Sequence, residues 1–435
     1  MKKVLIISPY FPPTNAADMQ RVRTSLPYFK QYGWEPTVVT VDEKYAYQVK
    51  DELLVQSVPI DVKIHKVKAF DKKWTQKIGL GNIALRSLWF YRQKVNELLK
   101  NEKYDLIYFS TTQFPVCILG AYWKKRFKVP YVIDMQDPWH SDYYRNKPKE
   151  QQPPKYWFSY RLNKYLEPIA LKHTDGLISV SDYYINNLKK RYPVIKNIPS
   201  ATITFGSFAP DLEIADGNQY KFTSILLPGF KNIVYVGRGG ADMHSAIKPV
   251  FEALKEGLKN EPDVFGKLKF YFIGTSYAPW GEGIPTIIPL AKQYGIENNV
   301  IEITDRISYY NNLITLQQAD ALFIPGSDDP QYTASKIYPY LLTQKPLLAV
   351  FNKNSSVVAI INKCTENAMV FTFDEATTPS PTVFYKILEQ WANGISKPIK
   401  LLNSFEQYSA QNLAGEQTEL FNQTVKHFEA TNTNA

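Results

Sequence analysis

Short, wholly apolar runs alternate with amphipathic stretches along the 435 residues of this chain. Lys3–Ser8 is apolar without alternation, which predicts a strand buried on both faces of a parallel sheet. A proline-bearing loop, Tyr10–Asp18, leads into a helical pattern that reaches Tyr32, where Pro27 predicts a kink or a restart and Gly33 a stop. Thr37–Val41 is the next strand. The pattern then gives strands at Asp105–Ser110, Pro130–Asp134 and Gly176–Val180, with helices at Phe114–Phe127 and Ser181–Arg191. Strand and helix in alternation predict a doubly wound α/β domain with right-handed crossovers and ligands at the carboxyl ends of the strands. The loops after Ser8, Ser110 and Asp134 are therefore the ones to watch.

The second half repeats the pattern. Residues 206–230 are mixed in polarity, with scattered Pro and Gly, and read as a linker. Asn232–Gly240 gives a strand and a glycine-rich turn, followed by a helix over Ser245–Lys259. Further strands are expected at Lys269–Ile273, Val300–Ile303 and Ala321–Ile324, with a helix over Ser308–Gln318. The stretch Ser327–Val350 then carries an acidic turn, a helix start at Thr333–Lys336 and, after Lys345-Pro346, another apolar strand. Free backbone N–H groups and the Lys336 ammonium converge at such a start, which suits an anion. Ordinary capping accounts equally well for Thr333 and Ser335. The domain reading is 1–205, a linker over 206–230, a second domain over 231–403, and a final helix and frayed tail over 404–435.

Composition agrees with two domains, because a chain of this length with 44% apolar residues exceeds one ordinary core. Cys117 and Cys364 lie far apart and match no metal spacing, so free thiols in a reducing compartment are expected. The first apolar run stops at Ser8-Pro9, too short for a secretory signal, and no run approaches the ~18 apolar residues of a membrane span, which points to the cytoplasm. The charge is divided. Residues 1–200 carry 33 Lys+Arg against 18 Asp+Glu, net +15, and the remainder is net −5. A basic half suggests nucleic acid, anionic lipid or a phosphorylated substrate. Two segments, 66–103 and 144–165, interleave Lys and Arg with Trp, Tyr and Phe, as a protein resting on an anionic bilayer does, although any amphipathic surface helix has the same pattern. No recognised nucleic-acid module accompanies the charge, so no nucleic-acid partner is expected.

Tyr10-Phe11-Pro12-Pro13, Gly33–Thr40, Tyr104–Ile107, Asp134-Met135-Gln136-Asp137-Pro138-Trp139, Asp175–Ser181, Gly237-Arg238, and Ser335-Lys336-Ile337-Tyr338 through Lys345-Pro346 follow one another along the chain. Taken in that order, they resemble family 4 of the retaining glycosyltransferases of GT-B fold. The resemblance implies two Rossmann-like doubly wound α/β domains facing a central cleft, with the last helix returning to the first domain. It implies transfer of a sugar from a nucleotide-diphosphate sugar to a glycan or polyprenyl-linked acceptor, with retention, in surface-polysaccharide or glycoconjugate synthesis. No metal or other cofactor is expected, and the implied place is the inner face of the cytoplasmic membrane. As the sugar C–O bond breaks, charge builds on the leaving diphosphate, and Arg, Lys and fixed N–H groups stabilise it. A guanidinium–phosphate bond contributes about 1.5–3 kcal/mol.

By this resemblance Arg238, Lys336 and Asp137 are the catalytic candidates. Gly237, Gly239, Asp328, Asp329, Gln331, Thr333 and Ser335 fall on the donor side, and Asn15, Arg21, Gln136 and Trp139 on the acceptor or cleft side. The chain also departs from the family. Gln331 and Pro339 stand where two glutamates are usual, and Met243-His244 where a second phosphate cation is usual. Ala16-Ala17-Asp18 replaces glycines after the first strand, and Asp18 beside a diphosphate would need Arg21 or Arg23 to neutralise it. These departures keep a second reading open, a catalytically inactive GT-B scaffold in a glycan-assembly complex.

Overall fold

The computed structural model describes residues 1–145, 147–152, 155–329 and 337–433. It divides into two compact units, one of Met1–Phe205 with Tyr408–Ala435 and one of Gly206–Gln407.

In the first unit, seven strands form one parallel sheet: β1 (Lys2–Ile7), β2 (Trp34–Val41), β3 (Lys63–Val67), β4 (Leu106–Ser110), β5 (Tyr131–Met135), β6 (Gly176–Ser179) and β7 (Ser200–Thr202). Their order is β3-β2-β1-β4-β5-β6-β7, so the winding reverses between β1 and β4. Val4–Ile7 are fully buried, as a central strand covered on both faces requires. The helix Gln20–Phe29 runs through Pro27 rather than restarting there. Its buried face, Val22, Leu26 and Phe29, holds the last turn against the core, and the chain leaves through a 3-10 turn to Gly33 at φ 82°. The long helix Ala410–Thr433 belongs to this unit: Phe421 packs on Phe29, Trp34 and Tyr108 with ring centroids 6.0, 5.4 and 4.9 Å away. Burying one such ring contributes on the order of 1.5–3 kcal/mol.

The two basic, aromatic segments divide between core and surface. Helix Ile83–Asn101, capped by the Asn82 side chain on the Ala84 amide, turns Ile83, Ala84, Tyr91 and Val95 inward. In contrast, Trp74 (72% exposed), Ile78 and Trp157 project outward, with Lys72, Lys73, Lys77 and Arg161 close by in sequence. The Lys77 ammonium lies over the Trp74 ring and the Arg161 guanidinium over Trp157.

The second unit has the same winding in six parallel strands: β8 (Lys231–Val236), β9 (Leu268–Ile273), β10 (Val300–Ile303), β11 (Ala321–Pro325), β12 (Leu347–Asn352) and β13 (Met369–Phe373). The order is β10-β9-β8-β11-β12-β13, reversing between β8 and β11. The stretch expected as a linker is in part a built element of this unit. Helix Pro210–Gly217 carries buried Asp211, which accepts hydroxyl hydrogen bonds from Tyr309 (2.7 Å) and Tyr310 (2.8 Å) at the start of helix Tyr309–Gln318. Pro210 in the first turn starts that helix where its missing N–H costs nothing.

Candidate functional site

In an open α/β sheet, ligands gather where the strand order reverses. In the first unit this point is framed by the loops after β1 and β4. The chain leaves β1, crosses Tyr10–Ala16 and makes a single 3-10 turn, Ala17-Asp18-Met19, before its helix. Asp18 Oδ2 accepts from Thr111 Oγ1 (2.8 Å), the Thr112 amide (3.1 Å) and Thr112 Oγ1 (3.3 Å), all just past β4. Burial pushes the Asp18 carboxyl above its ordinary value, against the opposite pull of these bonds. Arg21, one of the two arginines that could neutralise Asp18, pairs elsewhere. Arg21 is 3% exposed, pairs through Nε with Asp134 at 2.7 Å, and donates to the Ile203 and Thr204 carbonyls at 2.7 and 3.1 Å. Arg23 donates to Gln20 and Ser57.

Gln136 is also an interior strut rather than a cleft-facing group: its Nε2 donates to the Asp18 carbonyl, Ser110 Oγ and Asp134 Oδ2 at 2.9–3.1 Å. Asn15 is half-buried, and its amide donates to the Val49 carbonyl at 2.8 Å. Asp137 alone of this group opens to the surface. Desolvation by its surroundings, and then the charge of Asp18, raise its carboxyl above the ordinary value. It borders a groove of about 300 Å³ whose other walls include Asn82, Leu85, Phe114, Trp139, Phe158 and Leu162. Trp139 stacks on Phe114 (centroids 5.5 Å, 20° between planes) and its Nε1 donates to Asn163 Oδ1 at 3.2 Å. Asn82, Leu85, Phe158 and Leu162 escaped the sequence reading. The available signal was their place in the two aromatic, basic segments or at the edge of one.

The second unit presents the same local design. After β8, Gly237-Arg238-Gly239-Gly240 leads to a 3-10 turn, Ala241-Asp242-Met243, and a helix over His244–Asn260. Arg238 grips Asp242 with both ends of its fork, Nη1 to Oδ1 at 3.0 Å and Nη2 to Oδ2 at 2.5 Å. Ser327 Oγ, past β11, donates to Asp242 Oδ2 at 2.6 Å, and the Asp328 amide donates to the Asp242 carbonyl at 2.8 Å. Burial opposes ionisation of Asp242, but hydrogen bonds from Arg238 and Ser327 outweigh it and hold the carboxyl below its ordinary value.

Both glycines of the turn are closely surrounded. A Cβ on Gly237 would meet the Tyr235 hydroxyl at 2.4 Å, and one on Gly239 would meet Thr286 Oγ1 at 2.8 Å and Thr275 Cβ at 2.9 Å. Protein side chains fill that room. Met243 is fully buried, so the usual place of a second cation is core here, and His244 Nε2 sits 3.0 Å from the Thr286 carbonyl. Asp328 and Asp329 are exposed at the end of the turn, with the Asp329 amide donating to Ser327 Oγ at 3.1 Å. Gln331, Thr333, Ser335 and Lys336 lie outside the described residues. Helix Ile337–Leu342 is pinned to β8 by the Tyr340 hydroxyl, which bonds both the amide (2.6 Å) and the carbonyl (2.9 Å) of Val236. Among the described residues, no group of three or more His, Cys, Asp or Glu could hold a metal ion.

The family model described as Glycosyltransferase Family 4 matches residues 22–202. That match spans less than half of the chain. The fold is GT-B. Among solved structures, it is similar to an α,α-trehalose-phosphate synthase (UDP-forming) from Burkholderia xenovorans in complex with glucose-6-phosphate, at TM-score 0.51, 10% identity and 99% coverage of both chains. It is also similar to the N-terminal domain of Candida albicans trehalose-6-phosphate phosphatase, at TM-score 0.50 and 13% identity, covering 98% of this chain and 95% of that one. Anabaena Alr3699/HepE, in complex with UDP and glucose, aligns over 100% of both chains at TM-score 0.48 and 14% identity. No curated protein matches the sequence. The stretch that the family model matches contains Asp137 and Trp139, and Arg238 lies beyond it. Among the described residues, no helix is long and apolar enough to cross a membrane.

Proposed function

We propose that this protein transfers a sugar from a nucleotide-diphosphate sugar to a saccharide or lipid-linked acceptor, with retention of configuration, in the synthesis of a surface polysaccharide or glycoconjugate. The observation that carries this reading is Arg238, on the turn that follows β8 at the point where the second sheet reverses, in a chain whose first unit matches family 4. In the proposed reaction the bond between the anomeric carbon and the diphosphate oxygen breaks, the carbon bonds the acceptor oxygen, and the acceptor proton leaves with the diphosphate. Arg238 meets the charge that grows on the diphosphate, and Lys336 joins it by resemblance. No metal takes part in this scheme. The acceptor reading assigns the aromatic groove of the first unit to the acceptor, with Asp137 at its edge to orient a hydroxyl. Phe114, Trp139 and Phe158 offer faces for sugar rings or an apolar carrier, and Asn82 and Asn163 offer hydrogen bonds.

Exposed Trp74, Ile78 and Trp157 among lysines support docking on an anionic membrane, the reading adopted for where the protein works. Calorimetry with uridine, guanosine and thymidine diphosphate sugars tests the donor, and folded protein that binds none of them sinks the assignment. Co-sedimentation with anionic vesicles at low salt tests the surface: Trp74→Ala with Trp157→Ala should lower the bound fraction, and equal binding by the variant removes these side chains from the interface.

The bidentate Asp242 grip on Arg238 and the buried Met243 favour one second reading, a GT-B scaffold without catalysis. That reading requires Arg238→Ala to leave the protein's biological role intact.

A further inference from the structure

We propose that Asp242 is a built-in competitor for the anion that Arg238 takes up, so that a nucleotide diphosphate binds by displacing the Asp242 carboxylate from the guanidinium. The inference rests on the donor reading above and adds to it how that site is gated. Both terminal nitrogens of Arg238 already meet the two oxygens of one carboxylate. A phosphate presents the same two-oxygen edge, and one edge of a guanidinium fork holds one such partner at a time. Asp242 therefore stands where a diphosphate oxygen pair would stand, and exposed Asp328 and Asp329 beside it add repulsion for any arriving anion.

The turn is built to survive the exchange. When Arg238 turns away, Ser327 Oγ still donates to Asp242 Oδ2 and the Asp328 amide still donates to the Asp242 carbonyl. The first unit shows that such a strap needs no arginine. Its own Ala-Asp-Met turn ties the first strand's loop to the fourth strand's through hydroxyls and an amide. Arg238 is thus surplus to the tie in the second unit, and its pairing with Asp242 regulates the anion site. An anion offering charge alone does not displace the carboxylate, whereas a nucleotide diphosphate adds further contacts and does.

Calorimetry on the full chain with inorganic pyrophosphate, and with uridine, guanosine and thymidine diphosphates, tests this. Asp242→Asn keeps the shape and an acceptor for Ser327 but removes the charge, so it should bind pyrophosphate and the preferred nucleotide diphosphate about tenfold tighter or more than the parent protein. Adding Arg238→Ala should erase that gain. Ser327→Ala, which removes the hydroxyl that holds the displaced Asp242 carboxylate, should weaken binding by about two- to threefold. If the parent protein binds a diphosphate and Asp242→Asn binds it equally or more weakly, Asp242 orients Arg238 instead; the competitor idea is then overturned while the donor reading stands. If no version binds any of these anions, both fall. Should Asp242→Asn not fold, Ser327→Ala decides alone, with unchanged or tighter binding counting against the proposal.

Discussion

The same three residues, Ala-Asp-Met, occupy the same place in both units: one 3-10 turn between the loop after the first strand and the helix that follows. In each, the methionine is buried and the aspartate reaches the loop after the fourth strand. Their electrostatics run in opposite directions. Asp18 is met by two threonine hydroxyls and an amide, and burial raises its carboxyl. Asp242 is met by Ser327 and by Arg238, which lower it. The arginines near the two turns differ in the same sense. Arg21 is sunk in the first unit on Asp134, while Arg238 lies on a half-exposed turn. A shared backbone device has been given a structural ending in one unit and an ionic one in the other.

The largest test of that contrast is the pair Arg21→Ala and Arg238→Ala. Losing Arg21 leaves Asp134 buried without its ion-pair partner and should cost about 3–5 kcal/mol in denaturant unfolding. Losing Arg238 should cost about 1 kcal/mol or less yet abolish diphosphate binding. Equal stability losses in the two variants would end the distinction. Next comes the same substitution in both turns, followed by denaturant unfolding across pH. Asp18, raised in the folded state, favours folding most in acid and loses that contribution as pH climbs from its ordinary 3.8 through its folded value. Asp18→Asn should therefore be neutral or stabilising near pH 7. Asp242, lowered in the folded state, favours folding above 3.8 and loses that contribution as pH falls below it. Asp242→Asn should cost about 0.5–1 kcal/mol near pH 7, with the difference vanishing in strong acid. The same sign for both would merge the two turns. Ser327→Ala should cost a similar amount, about 0.5–1 kcal/mol, since one hydroxyl bond to a carboxylate is lost from a turn that keeps its backbone tie.

Much of the scaffold was readable because central strands of a parallel sheet are continuously apolar. Lys3–Ser8 and Ala321–Ile324 fall within a residue of the observed strands for that reason. Edge positions gave less signal. Lys63–Val67 is half polar, and Ser200–Thr202 is three small residues, so neither stands out from its surroundings. Of the kink or restart expected at Pro27, the restart does not occur, because the buried face carries the helix past it. In the candidate site, Arg238 and Asp137 were named by the family resemblance, and both lie on turns after strands. Arg21 and Gln136 were named on the same ground and proved to be interior struts, since proximity in sequence to a loop does not say which way a side chain turns.

By itself, then, the chain determined two doubly wound α/β units, the places where their strands end, and the residue types offered there, because hydrophobic period and turn chemistry are local properties. Which partner each residue takes was decided by tertiary structure alone. Asp242 meets Arg238 four residues away, but also Ser327, 85 positions along the chain, and Arg21 meets Asp134 across 113. A carboxylate's charge state, and an arginine's freedom to hold a ligand, follow from neighbours that only the folded sheet brings together.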